Sequence, residues 1–141
     1  MDYNIESYVG VGPVRFGMTT EQVRMAIGSP FRTFQKTKAS KFPTDSFDGL
    51  GVHVYYAPSG ICEAIEMGRT ARPQFNRIEL FRLSFVDALH WLKNLDSLVE
   101  TDNSGLTALG LGIGLYVPGV AKDDSLPIEG VIAFKRGYYG A

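Results

Sequence analysis

"GLGIGLYVPG", residues 110–119, alternates glycine with leucine or isoleucine and then runs into Tyr-Val-Pro-Gly. Two readings compete for it: a loop that cradles phosphate, or a strand with one bare face. The dinucleotide fingerprint is G-x-G-x-x-G between a strand and a helix. Gly110, Gly112 and Gly114 give G-x-G-x-G instead, and Pro118 stops a helix from opening behind them. A Walker loop also fails, because no Gly-Lys-Ser/Thr occurs in the chain. The alternation therefore predicts a strand, and residues 105–117 read as the longest one.

The comb has a twin upstream. Gly49-Leu50-Gly51-Val52-His53-Val54-Tyr55 matches Gly110-Leu111-Gly112-Ile113-Gly114-Leu115-Tyr116 position by position, with His53 against Gly114 as the one change of character. Each stretch then meets a Pro/Gly turn, at Pro58-Ser59-Gly60 and Pro118-Gly119. The segments before them also correspond. Thr19 with Gln22 forms a capping box, and Ser84 with Asp87 is a weaker version. Met18 and Leu83 precede those caps, placed to staple onto Val23 and Ala88.

The expected fold is thus α+β: one domain of two tandem helix-plus-hairpin repeats, residues 10–68 and 77–137, forming an antiparallel sheet with helices on one face. The helices are expected at 20–27, ended by Gly28-Ser29-Pro30, and at 85–94. Strands are expected at 31–36, 49–57, 61–67, 77–82, 97–101, 105–117 and 130–136. Residues 37–48 and 118–129 read as loops, 68–76 as a linker, and 137–141 as a short aromatic tail.

Side chains alternate across a strand. Leu50, Val52, Val54 and Tyr56 should face the core, as should Leu109, Leu111, Ile113, Leu115 and Val117. The opposite face then carries Gly49, Gly51, His53 and Tyr55, and its twin Gly110, Gly112, Gly114 and Tyr116. Glycine weakens a strand, so its double use implies either strong curvature and close packing, or a concave surface where a partner approaches the backbone.

Composition removes several function classes. A chain of 141 residues with 45% hydrophobic content can bury a core without staples. A net charge of -1 gives no general attraction to nucleic acid or an anionic membrane. The single cysteine, Cys62, forms no internal disulfide and suits a reducing compartment. MDYNIESYVG lacks the basic and apolar regions of a signal peptide, so a cytoplasmic location is expected.

Gly17-Met18-Thr19-Thr20-Glu21-Gln22-Val23, followed by Ile27-Gly28-Ser29-Pro30, resembles the helix entry of BamE-like small bacterial modules. Two such units in tandem resemble the β-lactamase-inhibitory-protein-like architecture. That resemblance implies helices behind a curved sheet whose concave face grips another protein. The chain is also similar in size and style to toxin-neutralising immunity proteins.

Few residues suit catalysis. A two-residue turn at Pro58-Ser59 would put Tyr55 opposite Cys62, His53 opposite Ala64 and Glu66 opposite Gly51. His53 would then neighbour both Cys62 and Glu66, a conceivable Cys–His–Glu face for a small-molecule-binding domain or enzyme. No His/Cys pair has metal-ligand spacing, and no cofactor motif is present. The favoured expectation is a protein-binding module, an immunity-type inhibitor that blocks a toxin or enzyme by occlusion, with no catalytic residue. Its partner-binding residues are Tyr55 and Tyr116 as paired anchors, His53 and Glu66 beside them, Asp123 and Asp124 in the charged loop, and Tyr138 and Tyr139 in the tail. A homodimer built on the glycine face is a third alternative.

Overall fold

The computed structural model describes residues 2–35 and 37–139. Lys36 of the 31–36 strand and Gly140 and Ala141 of the tail lie outside the described residues.

The first helix begins where the capping box predicts. The Thr19 hydroxyl accepts from the Gln22 amide and the Gln22 side chain accepts from the Thr19 amide, satisfying two otherwise orphaned donors. The helix, α1, spans Thr20–Ile27 and ends on Gly28 in the left-handed region. The second, α2, spans Phe85–Leu95 and is capped by Ser84, whose hydroxyl accepts from the Asp87 amide.

Before α1 lie three two-residue strands, β1 (Ile5–Glu6), β2 (Gly10–Val11) and β3 (Val14–Arg15), which form a small antiparallel sheet. After α1 come β4 (Arg32–Phe34), β5 (Thr44–Phe47), β6 (Val52–Tyr56) and β7 (Cys62–Met67). A connecting hairpin, β8 (Gln74–Phe75) and β9 (Ile78–Glu79), leads to α2. After α2 come β10 (Val99–Asp102), β11 (Gly105–Ala108), β12 (Ile113–Tyr116) and β13 (Gly130–Phe134). The last four strands and β4–β7 join in one antiparallel eight-stranded sheet, ordered β10-β11-β12-β13-β7-β6-β5-β4. The chain is α+β and mostly sheet. Each helix is followed by four strands, and the final strand of each set meets the other at the β13–β7 seam, where Ile132 opposes Glu66.

The glycine comb is not a strand face. Residues 105–117 fold into two strands, β11 and β12, and Leu109-Gly110-Leu111-Gly112 is the four-residue turn between them. The Leu111 and Gly112 amides both donate to the Ala108 carbonyl, and Gly112 leaves the turn at φ 72. The matching upstream stretch is also a turn, in which the Gly51 amide donates to the Asp48 carbonyl. Asp48-Gly49-Leu50-Gly51 joins β5 to β6, with Phe47 opposing Val52 and Gly51 at φ 71. Both leucines rest partly buried on the core, so each turn imitates the two-residue period of a strand. Of the comb, only Gly114 sits within a strand.

Residues 37–48 are not wholly loop, since β5 lies within them and all four of its residues are buried. Asp45 is buried because Arg24 of α1 grips its carboxylate through Nε and Nη2 at 2.9 and 2.8 Å, and Tyr56 donates to it at 2.7 Å. The strand expected at 77–82 is β9 followed by a short 3-10 helix, Leu80–Arg82.

One buried cluster holds Val23 and Ile27 of α1 and Phe85, Ala88 and Leu92 of α2. It also holds alternate residues of the sheet: Val52, Val54, Ile65, Met67, Leu106, Ile113, Leu115 and Val131. Among the described residues, no helix is long and apolar enough to cross a membrane.

Candidate functional site

The face of the sheet away from that cluster follows directly from register. Arg32, Ser46, His53, Glu66, Ile132, Gly114, Thr107 and Glu100 oppose one another in turn across all eight strands. This row is largely polar, unlike the apolar set behind it. A cavity of about 670 Å³ opens over its centre, on β6, β7, β13, β12 and β11. Its floor includes Gly51, Gly68, Gly114 and Gly130, and its walls carry His53, Glu66, Asp102, Tyr116, Glu129 and Tyr139.

The expected site residues divide into two groups. His53, Glu66, Tyr116 and Tyr139 meet at this cavity. His53 directly opposes Glu66, with Nδ1 3.8 Å from Oε1, and its ring meets Phe34 edge-on. Tyr116 and Tyr139 are 53% and 56% exposed.

Tyr55 is no exposed anchor, although it holds the place after Gly51 that Tyr116 holds after Gly112. It is 8% exposed, in a second small cluster with Ala64 and Phe134, which Tyr8, Ile132 and Tyr138 cover. Burial, with Glu66 as hydrogen-bond partner, pushes its hydroxyl well above the usual tyrosine range. Tyr138 stacks on Phe134 at 5.8 Å between ring centroids, so the tail closes over this cluster and leaves Tyr139 at the cavity.

Asp123 and Asp124 also lie away from the cavity. The loop between β12 and β13 returns to the start of α2, where the Val86 amide donates to the Asp124 carbonyl and the Phe85 amide to Leu126. The Asp123 carboxylate accepts from the Ser125 amide and hydroxyl, which hold it below the ordinary carboxylate range.

The Cys–His–Glu face does not form. The β6–β7 hairpin turns over Ala57–Ile61, with Gly60 at φ 83 and the Ala57 amide bonded to the Ile61 carbonyl. A further irregularity between Tyr55 and Tyr56 completes a register in which Tyr55 opposes Ala64 and Cys62 opposes Tyr56. Cys62 is therefore fully buried in the core, and desolvation pushes its thiol up to about 12. Such a thiol is inert at neutral pH.

Sequence reasoning missed several cavity residues. Gly68 and Gly130 lie beside the strand ends without any comb pattern. Asp102 and Ser104 lie in the β10–β11 turn, where the carboxylate accepts from the Ser104 amide at 2.7 Å. The Asp-x-Ser spacing was the available signal, since it is an Asx-turn signature. Those bonds keep Asp102 below the usual carboxylate range. No family model, curated protein or solved structure matches the chain.

Proposed function

We infer that the chain is a protein-binding module, most concretely an immunity-type inhibitor acting in a reducing, cytoplasmic compartment. It would block a toxin or enzyme by steric occlusion. The observation that carries this reading is the 670 Å³ cavity on the sheet face away from the main core, with exposed tyrosines at its rim. Exposed aromatic side chains beside a concave surface are what protein hot spots use. The matching turns at Gly51 and Gly112, and the matching caps at Thr19 and Ser84, support two copies of one helix-plus-four-strand unit. In that arrangement both helices stand behind the sheet and the cavity spans the seam between copies. Tyr116 and Tyr139, rather than Tyr55 with Tyr116, are the anchors.

The test is capture from source-organism lysate by wild type and by Tyr116→Ala/Tyr139→Ala. The expected result is one protein held in equimolar amount by wild type, inhibited when bound, and lost by a variant that stays folded but melts slightly lower, because the Tyr139 ring also meets Phe134 edge-on. Equal retention by the variant would sink the reading. The cavity also lies within the size range of small-molecule sites, about 300–1,000 Å³. That second reading predicts a co-purifying small molecule instead of a protein.

A further inference from the structure

The cavity floor is barer than the fold requires. At Gly68 the nearest atom to an added Cβ is the Gly51 carbonyl oxygen, 3.8 Å away. At Gly130 it is the Tyr116 Cβ, 3.5 Å away. Both are ordinary contacts, and neither residue sits at positive φ. Alanine would fit at either position, so packing within the chain does not explain glycine there. Glycine at such sites leaves backbone open to close approach by something outside.

The charge over that floor is one-sided. The whole chain nearly balances, with 14 basic and 15 acidic residues. The cavity instead carries Glu66, Asp102 and Glu129, and among the described residues its lining holds no Lys or Arg. Phosphate-bearing ligands and nucleic acid are disfavoured by that field. The carboxylates are also spread out. Glu66 on β7 and Asp102 on β10 are four strand steps apart, about 19 Å across the sheet at ~4.8 Å per step. One small amine cannot reach both. An extended chain covers that distance in about six residues.

Building on the protein-binding reading, we propose that this cavity takes an extended, basic segment of the partner, laid across β7, β13, β12 and β11 on the glycine floor. Arg or Lys side chains at its two ends meet Glu66 and Asp102, Glu129 adds to the attraction, and Tyr116 packs along the segment between them.

The test selects from a displayed library of random peptides about twelve residues long, against the full chain. Binding of the selected peptides is then measured to wild type, Tyr116→Ala, Glu66→Gln/Asp102→Asn/Glu129→Gln and Gly68→Ala/Gly130→Ala. Glutamine keeps an acceptor for Tyr55, and asparagine can keep the Ser104 turn, so these variants should fold. The expected peptides are rich in Arg and Lys, with basic residues about six positions apart. Their binding should weaken by about tenfold or more on neutralisation and fall as salt rises. The alanine pair should melt no lower than wild type and yet bind more weakly. Peptides that need Tyr116 but are neutral or acidic, or that ignore neutralisation, would overturn the basic-segment proposal and leave the protein-binding reading intact. Selection of no peptide at this face would overturn the extended segment, while lysate capture judges the broader reading separately.

Discussion

Asn76 and Arg77 turn the β8–β9 hairpin at φ 49 and 66, the pair of left-handed conformations that a two-residue turn demands. Arginine is a poor occupant of that region. Arg77→Gly is expected to raise stability by about 0.5–1 kcal/mol, read as the urea midpoint, because relief of strain exceeds glycine's added chain entropy. Gly112 is the reverse case. It sits at φ 72, and a Cβ there would lie 3.0 Å from the Phe134 carbonyl oxygen. Gly112→Ala should lower stability by at least about 1 kcal/mol. Gly110 has no room either, because the Asp96 carboxylate accepts from its amide at 2.8 Å. Thr19, Ser84 and Gly28 were legible in the sequence, since a cap is chemistry among neighbours a few residues apart. The glycines of the comb were recognised as a repeated pattern but not as turns. What distinguishes them is the sign of φ and the approach of Asp96, Phe134 and Tyr8 from elsewhere in the chain.

Register is where local reading ran out among the elements. A turn at Pro58-Ser59 was foreseen, but the bulge at Gly60 and the shift beside Tyr55 together move the pairing sum by two residues. That displacement takes Cys62 from His53's neighbourhood and brings Glu66 opposite His53. It leads to a direct expectation: Cys62 in native protein should not react with a thiol reagent at pH 8, and should react fully in denaturant. β5 was invisible for a different reason. Thr44-Asp45-Ser46-Phe47 has no apolar alternation, and Asp45 is buried only because Arg24 and Tyr56 satisfy it. Asp45→Ala would leave a guanidinium and a hydroxyl without their acceptor. The expected loss is about 3 kcal/mol, measured by denaturant unfolding, with Asp45→Asn losing less.

For the molecule as a whole, the titrating groups define a stability plateau. Burial raises Cys62 to about 12 and lifts Tyr55 and Tyr56 above the usual tyrosine range, so the unfolded chain releases protons first in alkali. Their contribution is complete below about pH 8.5 and is lost progressively above it. Asp48, Glu79, Asp102 and Asp123 are held low by hydrogen bonds, so their contribution is present above about pH 4 and is lost as the pH falls further. Urea midpoints should therefore fall as the pH rises above the upper limit and as it falls below the lower one. The α+β class could be read from pattern, but the eight-strand order with β7 beside β13 could not, because pairing the two ends of the chain's halves is a long-range outcome. The cavity above that seam is where we propose that a partner binds. Thr107, which opposes Gly114 and lines the cavity outside both buried clusters, is the position to change. A Thr107→Lys chain should melt close to wild type while losing the protein that wild type captures from lysate. Capture of the same protein at unchanged affinity by the lysine variant would show that the partner does not bind at this cavity.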